Sequence, residues 1–391
     1  MDCGKILRVT DYAHYLVCTL LFFGAFSFIL IISTNPNHSM NPLSLFNGQN
    51  PPCITSPPTT EKHRLKMYRD KLEEALAGAS TENNKTVIIA VVNKAYVDGD
   101  KSMLDMFLEG FWVGEGTREL VKHLLIVAVD QTSYERCTFL GLHCYKLGTD
   151  DVDFAGEKVF MSPDFLDMMW RRTQFLGDIL KLGYSFIFTY ALAKTRSVGR
   201  PRPDDYVLEF LHILYSGGAH CSDNDVIWLR NPFPRLRDLN ETIDLQISTD
   251  NFNGDDRSES NPINTGFYMV RSNNRTIALF NSWYGLKNSS NGRKEQDLLN
   301  ELISQGVIAK LGLKVKFLNT KFFSGFCQDS GDVKSVVTVH ANCCRTITAK
   351  LADLTAVIHD WQRFKSFSGD ANQTAAFHWS PHDRCIDSWN H

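Results

Sequence analysis

The sequence predicts an α/β protein with a mainly parallel sheet flanked by helices, and three observations predict it. Short apolar, β-branched runs bounded by polar residues recur at residues 86–93 (TVIIAVVN), 124–130 (LLIVAVD) and 184–189 (YSFIFT). Runs that are apolar on both faces are typical of strands buried within a parallel sheet. Segments with helical spacing stand between them, and strand, helix, strand in succession is the pattern of a layered α/β fold. At 391 residues with 43% hydrophobic content, the chain is long enough to bury one large core or two modest ones.

Taken in order, residues 15–32 (YLVCTLLFFGAFSFILII) contain no charge. At about 1.5 Å per residue they nearly cross a hydrocarbon layer of about 30 Å. Lys5 and Arg8 precede this segment, and the next basic residue is Lys62. The positive-inside bias therefore predicts a cytoplasmic tail at 1–14, an uncleaved signal anchor at 15–32, and a remainder that is lumenal or extracellular. Residues 33–80 read as a stem, with Pro36, Pro42, Pro51, Pro52, Pro57 and Pro58 among Asn, Ser and Thr, closing in a surface helix. In that helix Leu65, Tyr68, Leu72 and Leu76 share one face. The folded domain occupies 81–391. Within it, LDMFLEGFW has helical spacing, and Ser162 with Pro163 opens a long helix that Gly183 stops.

Composition narrows the function. A net charge of -3 spread along the whole chain offers no cationic stripe, which excludes nucleic acid as a partner. Sequons at Asn37, Asn84, Asn240, Asn274, Asn288 and Asn372 suit a lumenal domain. Ten cysteines permit disulfides there; Cys137 with Cys144 is a local pair, and Cys327 meets Cys343 or Cys344.

The stretch HCSDNDVIWLRNPFPR carries the chemistry. In an extended segment residues two apart share a face, so Asp223 and Asp225 can approach one divalent ion. Such an ion neutralises the diphosphate of a nucleotide-sugar and makes it a good leaving group. The same two acids are also compatible with a polar turn before a strand. They are too close in sequence to flank a glycosidic bond from opposite sides, which argues against a hydrolase with paired carboxylates.

The stretches MMWRRTQFLGDILKLGYSFIFT, DNDVIWLRNPFPRL, NTGFYMVRSNNRT, EQDLLN, LKVKFLNTKFFSGFC and VHANCC occur together and in this order. From residue 86 to the C-terminus the chain thereby resembles the plant nucleotide-diphospho-sugar transferases related to the rhamnogalacturonan xylosyltransferases and extensin arabinosyltransferases. The resemblance implies a GT-A fold and a single-pass type II protein of the Golgi membrane. It also implies a UDP-sugar donor, a cell-wall polysaccharide or glycoprotein acceptor, and transfer with retention. It makes Asp223 and Asp225 ligands of Mn2+ (or Mg2+), with His340 as the late imidazole that completes the shell. Lys350 is placed to counter the departing diphosphate. Asn264 and Gly266 are candidates for the sugar, with Gln296 and Asp297 of the EQD triplet, where relatives often have Asp in place of Glu295. Asp297 is the acid expected to hold a hydroxyl or support the developing positive sugar. Arg172 is expected to reach sugar or phosphate, while Asn93 and Asp130, directly after their strands, suit base and ribose. Front-face displacement, in which the leaving phosphate takes the acceptor's proton, is the expected route.

The sequence departs from the family's pattern in one place. There the strand equivalent to FIFT runs straight into the Asp-x-Asp, whereas here residues 190–222, 33 residues in all, intervene. They read as retained intron sequence or as a loop; otherwise FLHILY displaces YSFIF from the sheet. A displaced donor site would leave a catalytically inactive lumenal protein acting as a binding or assembly subunit.

Overall fold

A computed structural model describes residues 61–81, 85–148, 161–189, 225–237, 242–367 and 376–389. The expected anchor at 15–32, most of the stem, Asp223 and the insert at 190–222 lie outside the described residues. So do the sequons at Asn37, Asn84, Asn240 and Asn372. Among the described residues no helix is long and apolar enough to cross a membrane.

Helix α1 (Glu61–Ala79) comes first. Leu72, Leu76 and Ala79 are buried, and Tyr68 meets Tyr145 edge to face at 6.0 Å. Full burial of a leucine contributes about 1.5–3 kcal/mol, so this helix belongs to the folded domain rather than to the stem. Strand β1 (Thr86–Val92), helices α2 (Lys94–Val97) and α3 (Met103–Val113), strand β2 (Leu124–Ala128), helix α4 (Gln131–Phe139) and strand β3 (His143–Lys146) follow. Every residue of β1 and β2 is buried, as continuous apolar runs require. Helix α5 (Pro163–Lys181) starts as its sequence predicts. The Ser162 hydroxyl accepts the Phe165 N–H, Pro163 takes the first turn, and Gly183 beyond the C-terminus has φ +83°. It leads into β4 (Ser185–Thr189).

The main sheet has seven strands in the order β3-β2-β1-β4-β7-β6-β8, completed by β6 (Leu245–Thr249), β7 (Ile263–Val270) and β8 (Val315–Phe317). Pairing is parallel from β3 to β4 and between β6 and β8, while β7 runs against both β4 and β6. A smaller sheet joins β5 (Val226–Trp228), β10 (Thr338–His340) and β9 (Phe323–Gly325) in the order β5-β10-β9. Phe267 of the main sheet meets Trp228 and Phe323 of the smaller one, and Phe111 of α3 stacks on Trp228, with ring centroids 4.9 to 5.8 Å apart.

The place of β4 decides one alternative. SFIFT pairs with β1 and β7, so YSFIF keeps its position in the sheet. Thr189 pairs with Phe267, Gly266 lies against His340, and His340 contacts Asp225. The chain therefore leaves the described structure after Thr189 and re-enters it at Asp225 in one neighbourhood.

Candidate functional site

Asp225, His340 and Lys350 come together although the sequence scatters them. Asp225 stands directly before β5, where its carbonyl accepts the Ala341 N–H at 2.8 Å and Val226 pairs with His340. Trp228, stacked on Phe111 at 4.9 Å, anchors that strand. Lys350 lies in the first turn of helix α10 (Ile347–Ser366). (The intervening helices are α6, Phe233–Leu236; α7, Asn274–Gly285; α8, Glu295–Ser304; and α9, Val307–Leu311.) Asp225 Oδ1 is 2.9 Å from His340 Nε2, and Asp225 Oδ2 is 2.7 Å from Lys350 Nζ. All three residues are at most 5% exposed.

Burial alone would raise the Asp225 carboxyl; the Lys350 ammonium, then the His340 imidazole, outweigh it and hold the group down at about 2. Lys350 needs this partner, because a cation in the first turn opposes the positive end of the helix dipole. The cluster thus sets one ionised carboxylate between an ammonium and an imidazole.

Gly266 gives His340 its room. A Cβ on Gly266 would stand 2.5 Å from His340 Cε1 and 2.9 Å from Nε2. Between Ile247/Tyr268 and Ser248/Asn264 the β6–β7 register shifts, leaving Thr265, Gly266 and Phe267 without a partner on β6. Bulges of this kind re-aim side chains next to functional sites. Asn264 Oδ1 accepts the Gly266 N–H at 2.7 Å. Gln296 Oε1 accepts the Thr265 N–H and hydroxyl, each at 3.1 Å, which docks the start of α8 on the bulge.

Asp297 is half-buried in the same first turn of α8, and among the described residues no hydrogen bond to its carboxylate is formed. Arg172 is buried. Its guanidinium turns inward from α5, 2% exposed, to pair with Glu295 and cover the Phe188 ring at 5.2 Å. Through Glu295 it holds the EQD turn. Breaking a buried pair leaves an uncompensated charge. Arg172→Leu is therefore expected to lower stability by about 3–5 kcal/mol in urea denaturation, and adding Glu295→Leu is expected to recover much of the loss.

Asn93 and Asp130 sit together at the carboxyl ends of β1 and β2, and Asp130 caps two helices. Its Oδ1 accepts the Ser133 N–H at 2.8 Å to start α4, and its Oδ2 accepts the Lys94 N–H at 2.6 Å to start α2. Asn93 is fully buried beside it. Asp250 and Asn342 are part of the site without having been assigned a role in the sequence. Asp250 Oδ1 accepts Asn264 Nδ2 at 2.8 Å and Asn342 Nδ2 at 2.9 Å. The available signal was position, since Asp250 follows its strand directly, as Asn93 and Asp130 follow theirs.

Among the described residues no three metal-ligating side chains cluster, yet the pair present suits a divalent ion. An ionised carboxylate oxygen and an imidazole nitrogen 2.9 Å apart span about the edge of an octahedron with bonds of ~2.1 Å. The space beside them is tight, about 10 Å³ lined by Ser248, Phe267, Gly325, His340 and Asn342 among others. A larger cavity, about 610 Å³, opens at the opposite end of the sheet beside Thr86, Ser185 and Arg271, and shares no residue with the cluster.

Disulfides brace the turn after His340. Cys137–Cys144 and Cys327–Cys343 form as two of the expected pairings, and Cys344 joins Cys385. The adjacent Cys343 and Cys344 thus tie the turn to two other segments, the second reaching helix α11 (Asp383–Asp387).

Comparison with known proteins identifies relatives of the chain. Two uncharacterized proteins of Arabidopsis thaliana are similar over most of their length. One is 49% identical over 325 residues (82% of this chain, 85% of the relative), the other 38% identical over 332 residues (85% and 77%). A beta-arabinofuranosyltransferase of the same plant, RAY1, is 23% identical over 283 residues, covering 69% of this chain and 44% of that enzyme. The family model described as nucleotide-diphospho-sugar transferase matches residues 119–191 and 220–354, more than half of the chain. The matched parts include Asp225, Asn264, Gly266, Gln296, Asp297, His340 and Lys350, and leave out 192–219, inside the segment set apart in the sequence. With the converging strand ends, the buried acid–imidazole–ammonium cluster and these matches taken together, the chain belongs to the nucleotide-diphospho-sugar transferase family.

Proposed function

We propose that this protein is a GT-A glycosyltransferase that moves a sugar from a UDP-sugar donor to a cell-wall polysaccharide or glycoprotein, with retention of configuration. We place it in the Golgi membrane as a single-pass type II protein with its catalytic domain in the lumen. The observation that carries the reading is the convergence of Asp225, His340 and Lys350 at the ends of the sheet strands. The three disulfides, and exposed side chains at the sequons of Asn274 and Asn288, suit an oxidising, glycosylating lumen.

In this reading Asp225, Asp223 and His340 hold Mn2+ or Mg2+. When bound, the ion supplies the positive charge that neutralises the donor diphosphate. Lys350 presents its ammonium to the same leaving group, already desolvated and at no further cost in reorganisation. Gly266 leaves room for the His340 imidazole, Asn264 keeps one amide hydrogen for a sugar hydroxyl beyond its bond to Asp250, and Gln296 keeps the bulge in place. Asp297 binds an acceptor or donor hydroxyl from the first turn of α8. The proton of the attacking hydroxyl passes to the departing phosphate oxygen, so no carboxylate nucleophile is required.

The test is thermal unfolding of the purified full-length protein with UDP, with Mn2+, and with both. A donor of this kind is expected to raise the melting temperature only when both are present, in proportion to RT ln(1 + [L]/Kd). A screen of UDP-sugar hydrolysis then names the sugar. A second reading, a non-catalytic binding or assembly subunit, draws on the segment outside both family-matched parts. It is favoured if UDP with Mn2+ has no effect on the whole chain but stabilises a variant lacking residues 190–222. No effect on either form removes the donor site altogether.

A further inference from the structure

Asp250 stands where four pieces of the site meet. It follows β6, and its Oδ1 accepts both Asn264 Nδ2 (2.8 Å) and Asn342 Nδ2 (2.9 Å). Each amide passes the constraint onward. Asn264 Oδ1 holds the Gly266 N–H at 2.7 Å, and Gly266 is the backbone wall against the His340 ring. Asn342, two residues after His340, accepts the Cys327 N–H at 3.1 Å and fills the space that a Cβ on Gly325 would claim. Cys327 is in turn joined to Cys343. One carboxylate oxygen therefore ties the β7 bulge on one side of His340 to the turn on the other.

We infer that Asp250 is a positioning residue for His340, acting through Oδ1 as a double hydrogen-bond acceptor. The consequence for the metal rests on the donor-site reading above; the effect on the imidazole does not. An acceptor role has a distinctive signature, because the carbonyl oxygen of an asparagine accepts the same two amides while carrying no charge. Asp250→Asn should preserve the arrangement that Asp250→Ala destroys.

The experiment uses the full-length chain without ligand. Modification of His340 by diethyl pyrocarbonate is followed by mass spectrometry, with the other histidines as internal controls for folding. His340 is 5% exposed and is therefore expected to react slowly in the parent protein. In Asp250→Ala it is expected to react about tenfold faster, as local opening becomes easier. In Asp250→Asn it should stay within about twofold of the parent, by the same measure of local opening. Asn342→Ala, which removes one arm only, should fall between them and serves if Asp250→Ala does not fold. In parallel, the Mn2+ dependence of UDP binding is expected to weaken by about 10–100-fold in Asp250→Ala and to persist in Asp250→Asn. An unchanged His340 rate in Asp250→Ala overturns the inference, as does an Asp250→Asn protein that behaves like Asp250→Ala. If the parent protein binds no UDP with Mn2+, the donor-site reading falls, while the labelling rates still decide the role of Asp250.

Discussion

Asp225→Ala is expected to lower stability by about 3–5 kcal/mol and to remove all stabilisation by UDP with Mn2+. The two losses have different causes. Stability falls because Lys350, 1% exposed, is left as a buried cation whose Nζ had stood 2.7 Å from a carboxylate oxygen. Ligand response is expected to disappear because, in the proposed reading, this carboxylate holds the ion. Adding Lys350→Met separates them: the double variant should recover most of the stability and none of the ligand response. A double variant as unstable as Asp225→Ala would mean that Asp225 holds the fold by some other contact. The cluster also predicts a pH dependence. The Asp225 carboxyl is lowered in the folded protein from about 3.8 to about 2. The stability it contributes is therefore fully present above pH ~4 and is lost as pH falls through that window toward about 2. Urea midpoints measured from pH 5 to pH 2 should decline less steeply for Asp225→Ala/Lys350→Met than for the parent.

Gly266→Ala carries the second large effect. The new methyl would sit 2.5 Å from His340 Cε1 and 2.9 Å from both His340 Nε2 and Asn264 Oδ1. Atoms do not pack that closely, so the imidazole must swing away, taking Nε2 off Asp225. Overpacking of this kind costs about 1–3 kcal/mol, which the fold should survive. Misplacing a ligand or catalytic group by about 1 Å lowers turnover by roughly a hundredfold. The expected protein is folded, melts somewhat lower, and has lost nearly all metal-dependent transfer. Gly285→Ala is the control, since a Cβ there meets nothing within 4 Å. Full activity in Gly266→Ala would show that His340 has no part in the reaction.

Local signals account for what the sequence made legible. The strands β1, β2 and β4 were readable because burial on both faces leaves an unbroken apolar run. The start of α5 was readable because Ser162 and Pro163 satisfy the first-turn amides themselves. Cys137 and Cys144 were readable as neighbours through their separation of 7 residues, while Cys344–Cys385, 41 apart, needed the fold. Arg172 and Glu295 illustrate the opposite case. Two adjacent arginines on a helix look alike in sequence, yet one hydrogen-bonds at the surface to Gly148 while the other enters the core to meet an acid on a distant helix. Asp130 ends its strand, and the fold adds what the sequence does not show, that the amides of Lys94 and Ser133 each bond one of its oxygens.

The sequence by itself determined the α/β class and the family, because periodicity, capping and motif order are all written along the chain. Only the tertiary structure decided that Lys350 and His340 share the carboxylate of Asp225, that Gly266 is small for the sake of an imidazole, and that Asp250 links the two sides. Electrostatics and packing act through distances of 2.7 to 2.9 Å between atoms from separate strands and helices, and no spacing along the chain encodes such a distance.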